Sequence, residues 1–306
     1  MNKLSDFLYK KRNNNFFIFI DKLFYRIVKG NILAMAGSLS FFSLISIFPF
    51  VFALLSLIGS IKILDYDPVY SAIGLLPKEI GRIVYNFIQM LEENSSGGFL
   101  SLSLFLGLWS ASSGIKQILW NVNKSYGTDD NRNYFLVRLM AMFFTVCLMI
   151  MVFILTFTQI IGETFILDIF KFFKINWDYS YLFSNLVKNS LPLIYIFIIF
   201  IVLYYFGINP YTRSLVKIKN VMPGALFTSI SLIFITFLFG RYLNTFASYS
   251  VTYGSLGSLL AFFIWTYLMS IIILIGSEIN GVFFSMKNFK SQNLWPRHDS
   301  FMKKFL

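Results

Sequence analysis

Apolar residues gather in six stretches along the chain, separated by polar segments that hold most of its charge. They run Ile32–Ile61, Phe99–Ile115, Leu139–Ile161, Leu182–Phe206, Val221–Phe239 and Leu256–Ile275. A helix rises about 1.5 Å per residue, so ~20 apolar residues cover the ~30 Å hydrocarbon core of a bilayer. Each stretch predicts a membrane-spanning helix. The second, "SLSLFLGLWSASSG", is diluted by hydroxyls and glycine and is argued from its packing face rather than its hydropathy. Within Pro77–Glu93, Ile80, Ile83, Val84, Phe87, Ile88 and Leu91 recur at helical spacing, with Lys78, Arg82, Asn86, Gln89 and Glu93 largely opposite. That pattern predicts an amphipathic helix in the first outer loop, resting on the membrane or the bundle, with a gating lid as the other reading.

Charge orients these spans. Of the 26 Lys and Arg, 19 fall in the N-terminal segment, the second and fourth loops and the C-terminal segment. The alternate loops hold the other 7, together with the acids Asp65, Asp67, Glu92 and Glu93. Basic loops stay cytoplasmic, so an even number of spans with both termini in the cytoplasm is predicted. The expected organisation is a basic tail over residues 1–31, a six-helix membrane domain over 32–285 and a basic tail over 286–306. No cleavable signal peptide is expected, because the first thirty residues are polar and basic and Phe16–Ile20 is too short for an apolar signal core.

Composition narrows the function classes. Only 13% of residues are charged, about half the fraction of a soluble domain. The net charge of +12 raises nucleic acid as a partner, yet the basic residues are spread over loops and tails. The bilayer, with anionic lipid at the basic tails, is the expected partner, and nucleic acid is not. Cys147 lies inside a span and reads as a small hydrophobe. The one histidine, His298, sits in the C-terminal segment, and no zinc-ligand spacing or phosphate-cradling glycine loop is present. Asp129 and Asp130 read as a solvated turn rather than a metal site. No catalytic residue, metal or cofactor is expected, and enzymatic function is disfavoured.

Helices in lipid associate where small residues let backbones approach. Such faces occur on the first span (Ala36, Ser40, Ser43), the second (Ser103, Gly107, Ser110, Ala111, Gly114), the fifth (Gly224, Thr228, Ser231) and the sixth (Thr266, Ser270, Ser277, Gly281). These four are expected to pack together, leaving the bulkier spans three and four as a lipid-facing wall. Such a seam is either close packing or a polar path. Pro49 removes a helical hydrogen bond inside the first span. Glu278, in "LIGSEING", ends the sixth span, where a carboxylate opposes the helix dipole and calls for a partner. Glu278 reads either as a solvated interfacial carboxylate or as one half of a cross-helix pair, with Lys116 the first candidate partner; Glu163 with Arg241 is a second candidate pair at the outer ends.

Four segments together resemble the YihY/BrkB family. They are "LSFFSLISIFPFVFALLSLIG" (39–59), "LGLWSASSGIKQILWNVNKSYG" (106–127), "VMPGALFTS" (221–229) and the run from Ser248 to Asn280 with its Tyr-Gly-Ser-x-Gly entry and Leu-x-Gly-x-Glu exit. The resemblance implies a bacterial inner-membrane protein with six spans and cytoplasmic termini. It once carried a ribonuclease label, which the residue inventory here does not support, and it supplies no catalytic role to transfer. Residues matching its motifs include Pro49, Trp109, Ser110, Gly127, Gly224, Tyr253, Gly254, Gly257, Gly276 and Glu278. The function expected is transport or export of a small or amphiphilic solute along the seam, with a non-transporting scaffold or envelope-assembly role as the alternative. Candidate functional or packing residues are Glu278, Lys116, Ser110, Gly114, Pro49, Gly224, Tyr253, Gly254 and Gly257.

Overall fold

Asn31 adopts the left-handed conformation (φ 52°) at a sharp corner near the start of the chain. The corner separates α1 (Asn15–Lys29) from α2 (Ile32–Ile45), whose axes differ by 59°. Asparagine tolerates this region because its short side chain bonds locally. The Gly30 amide donates to the Arg26 carbonyl at 2.7 Å, and a Cβ on Gly30 would lie 2.4 Å from that oxygen. The computed structural model describes residues 15–45, 85–86, 89, 97–128, 130–150, 177–245 and 255–289.

Six further α-helices and one 3-10 turn complete the described framework. They are α3 (Gly97–Ser125), α4 (Tyr134–Ile150), α5 (Trp177–Gly207), α6 (Pro210–Arg213), a 3-10 turn (Ile218–Asn220), α7 (Met222–Thr245) and α8 (Ser255–Phe289). There is no strand among the described residues. Met222–Tyr242 and Leu260–Lys287 are each long and apolar enough to cross a bilayer, and the bent α1–α2 pair meets the same test as a unit. Tyr134–Ile150 and Pro192–Gly207 are shorter apolar helices. Of the outer amphipathic segment, Tyr85, Asn86 and Gln89 are helical, and the rest lies outside the described residues.

Side-chain pairings show how the helices run. Along α3, Gly114 lies beside Ser43 while Lys124 reaches the Gly30 carbonyl, so α2 and α3 are antiparallel. Lys116 meets Tyr134 and Arg138 meets Trp109, so α4 reverses again. Asn121 pairs with Ser277 and Tyr126 packs on Phe284, which makes α3 and α8 parallel. Gly224 abuts Asn280 and Thr228 abuts Gly276, so α7 opposes α8. The ends of α1, α3, α5 and α8 and the starts of α2, α4 and α7 therefore meet at one end of the bundle, where Lys and Arg concentrate.

Asn123 organises that end. Its Nδ2 donates to the Leu119 carbonyl (2.9 Å), to the Gly207 carbonyl (3.0 Å) and to Asp130 Oδ2 (3.3 Å). Its Oδ1 accepts the Asn209 amide at 2.7 Å. The end of α5 is thereby capped by α3. The α3 terminus itself closes by the paired bonds Thr128 N to Asn123 O and Gly127 N to Lys124 O, with Gly127 at φ 71°. A residue with positive φ there favours glycine, which explains the Tyr-Gly pair. Asn123→Ala would leave the Asn209 amide without its acceptor and take one donor from the Gly207 carbonyl, and should cost about 2 kcal/mol, seen as a lower thermal midpoint in detergent. An unchanged midpoint would refute the cap.

Three expectations change. The segment read as an N-terminal tail contains α1, which packs on α8 through Ile18, Phe19 and Lys22, and α8 itself continues to Phe289. The fourth span is no lipid-facing wall in its second half: Leu203 and Tyr204 of α5 are fully buried. The reason is polar, since Tyr204 Oη donates to the Ile273 carbonyl (2.7 Å) and pairs with Thr228 Oγ1 (2.9 Å). Asp130 is not the solvated turn expected. It grips Arg132 with both oxygens at 2.6 Å, and Arg132 donates to the Gly207 carbonyl; Asp129 lies outside the described residues.

Candidate functional site

Each side of the end of α8 meets a different helix. Gly276 and Asn280 turn to α7, Ser277 and Gly281 to α3, and Glu278 and Ser285 to α1. Residues three and four apart share a helix face, so these sets follow directly from the spacing in "LIGSEING". Glycine makes the approach possible. A Cβ on Gly276 would lie 1.9 Å from Thr228 Oγ1, one on Gly224 would lie 2.0 Å from the Gly276 carbonyl, and one on Gly281 would lie 2.1 Å from the Ser125 carbonyl.

Glu278 is buried (4% exposed) and pairs with Arg26 of α1, Nη1 to Oε2 at 3.5 Å. The same Nη1 donates to the Ser125 carbonyl at the end of α3 at 2.5 Å. One turn earlier on α1, buried Lys22 donates to Ser285 Oγ at 3.2 Å. Three helices are thus tied together by two cations of α1 set four residues apart. Buried charge requires such partners, because desolvation of an isolated ion costs several kcal/mol.

A neutral polar seam continues from this cluster into the bundle. Asn121 Nδ2 donates to Ser277 Oγ at 2.8 Å, and Ser277 Oγ in turn donates to the Leu274 carbonyl at 3.0 Å. Asn280 Oδ1 accepts the Gly224 amide at 2.8 Å, capping the start of α7 from α8. Beyond lie Thr228 and Tyr204. Asn121 Oδ1, Asn280 Nδ2 and Tyr126 Oη are buried and have no hydrogen-bond partner among the described residues. Burial pushes the Tyr126 phenol, just beyond the end of α3, above its ordinary value. The seam offers uncommitted donors and an acceptor close to an ion pair.

Other expected site residues are dispersed. Lys116 is not the partner of Glu278; its ammonium lies 4.0 Å from the centre of the Tyr134 ring. The cause is facial: Asn121 and Ser125, not Lys116, are the α3 residues level with the end of α8. Ser110 is exposed, while Ser112 two residues on is buried and bonds to the Trp109 carbonyl. Gly114 does meet α2, its missing Cβ 3.6 Å from Ser43 Oγ. Gly257 falls in the first turn of α8, and Pro49, Tyr253, Gly254 and Glu163 lie outside the described residues. Trp109 carries the buried Arg138 of α4, whose guanidinium lies 4.5 Å over the ring and bonds to the Trp109 carbonyl and Ser113 Oγ. Among the described residues, no group of three or more His, Cys, Asp or Glu could hold a metal.

A family profile described as virulence factor BrkB matches residues 23–299. The chain belongs to the BrkB family. That match includes Arg26 and the whole of α8, so both halves of the ion pair fall inside the family region. Relatives include a protein named as ribonuclease-like, YfkH of Bacillus subtilis, 29% identical over 92% of this chain and 99% of its own. UPF0761 membrane proteins of Coxiella burnetii and Aliivibrio salmonicida are 23% and 24% identical, over 81% and 87% of this chain and 86% and 82% of theirs. No solved structure matches the chain. This BrkB-family chain is a membrane protein.

Lys22, Arg26, Asn121, Tyr204 and Asn280 escaped the sequence reading as site residues. Lys22 and Arg26 carried a usable signal, since two cations four apart in an otherwise apolar helix share one face. Tyr204 carried none, being one aromatic among many in α5.

Proposed function

We propose that this BrkB-family protein is a multi-pass inner-membrane transporter that moves a small or amphiphilic solute. It crosses the membrane six times with both termini cytoplasmic, a reading supported by the alternating helix directions and the basic end to which α1, α3, α5 and α8 converge. The observation that carries the proposal is the buried Arg26–Glu278 pair at the mouth of the polar seam. Charge inside a membrane bundle is costly to place and is retained where a pathway or a switch uses it. Glu278 and Arg26 form a gate that opens and closes one end of the seam. Asn121, Asn280 and Tyr126 supply neutral hydrogen bonds to the solute beyond it. No bond of the solute is broken, so ribonuclease chemistry is no part of this reading.

The test compares metabolites and envelope lipids retained by cells expressing the wild-type chain, Glu278→Gln, or a chain lacking residues 290–306. The glutamine variant should be inserted at normal abundance and yet show the retention pattern of a null strain, while the truncated chain behaves as wild type. The reverse outcome supports a scaffold acting through its basic C-terminal segment. Full activity of Glu278→Gln would remove the gate from the account.

A further inference from the structure

We propose that α1 lies in the plane of the membrane as an interfacial helix, its apolar stripe set into the leaflet at the basic end of the bundle. Its polarity is inverted relative to a helix in water. Lys22, 3% exposed, faces α8, as does Arg26, whereas Phe16 (66%), Ile20 (46%), Phe24 (49%) and Val28 (49%) face outward. These four recur every fourth residue and form one stripe about 18 Å long. A helix surrounded by water would be stabilised by the opposite arrangement. The surroundings of α1 are therefore apolar on the outer side.

Two occupants compete, a bilayer and another protein surface, and the structure favours the bilayer. The exposed apolar surface does not stop at α1: Leu33, Phe41 and Ile45 carry it along α2, and Phe283 of α8, 42% exposed, packs against Phe19 at 4.9 Å. Apolar surface that runs from α1 onto the apolar spans beside it meets the same hydrocarbon. Helix α1 spans only about 22 Å and carries Asp21, Lys22, Arg26 and Lys29, so it is too short and too charged to span the bilayer by itself. The 59° corner at Gly30–Asn31 turns it away from α2. In the sequence Lys10, Lys11 and Arg12 precede it, a basic run of the kind that anionic headgroups attract. The helix is thus held by lipid on one side and by the Arg26–Glu278 and Lys22–Ser285 contacts on the other.

Nitroxide labels placed one at a time at positions 16, 20, 24 and 28 and at the control positions Asn15 and Lys29 test this. The full chain, with Cys147→Ser, would be reconstituted in phosphatidylethanolamine–phosphatidylglycerol vesicles. Collisions with oxygen and with a water-soluble nickel chelate then give the depth of each label. Stripe labels should favour oxygen and sit about 5–10 Å below the phosphates, with the controls favouring nickel. Nickel access at the stripe would overturn the proposal, and so would exclusion of both reagents, which places a second copy or another protein there. Should labelling perturb folding, Ile20→Glu and Phe24→Glu serve instead. They should lower the thermal midpoint in these vesicles while Lys29→Glu leaves it nearly unchanged, and equal effects would also refute the assignment.

Discussion

Arg26→Ala should lower the stability of the folded bundle by about 3 kcal/mol. The substitution leaves Glu278, with 6% of its side chain exposed, without the cation that offsets its desolvation. Breaking a buried pair from one side costs about 3–5 kcal/mol, and a 3.5 Å separation with 16% exposure at Arg26 places this pair at the lower end. Glu278→Ala should cost a similar amount by stranding Arg26. The double variant should then lose less than the two single losses combined, with a coupling of at least about 1 kcal/mol in thermal unfolding. Strictly additive losses would mean that the two groups do not interact. Arg26→Lys should fall between, because it keeps the charge and gives up part of the fork that also holds the Ser125 carbonyl.

Gly224→Ala and Gly240→Ala lie in the same helix and should act in opposite directions. At Gly224 the new methyl group would sit 2.0 Å from the Gly276 carbonyl and 2.5 Å from Asn280 Oδ1. The first of these is backbone, so relief requires α7 and α8 to separate. Overpacking of this kind costs about 1–3 kcal/mol or more, and here the upper end is expected, with visible loss of monodisperse protein. Nothing lies within 4 Å of a Cβ at Gly240, where alanine should gain up to about 1 kcal/mol from helix propensity alone. Thermal midpoints in one detergent decide this. A neutral Gly224→Ala would show that the helices do not touch there.

The membrane character and the closeness of α7 to α8 were legible in the chain because both depend on residue type and period alone. Apolar runs report hydrocarbon, and Gly224 and Gly276 report near contact of backbones. Glu278 was legible as a residue in need of a partner, since an acid at a helix C-terminus is disfavoured locally. Its partner was not. Lys116 lies on a helix that does meet α8, but it stands about two and a half turns short of the α3 terminus and faces Tyr134 of α4, and only the structure shows this. Arg26 is 252 residues away in sequence and was hidden among cations that the positive-inside rule counts without distinguishing. Tyr204 illustrates the converse case. An apolar helix with aromatics on every side looks lipid-facing until one hydroxyl finds Thr228 and a carbonyl of α8.

Asn280 capping the first turn of α7 carries a mechanical consequence. The bond from the Gly224 amide sits beside backbone contact at Gly276, so α7 and α8 can neither slide nor rotate past one another without exposing a buried amide. They form a rigid paired strut. By contrast, α8 meets α1 through side chains, Glu278 on Arg26 and Ser285 on Lys22, which can exchange partners with little backbone change. In the proposed gate, α1 is therefore the element that moves, against a fixed α7–α8 strut.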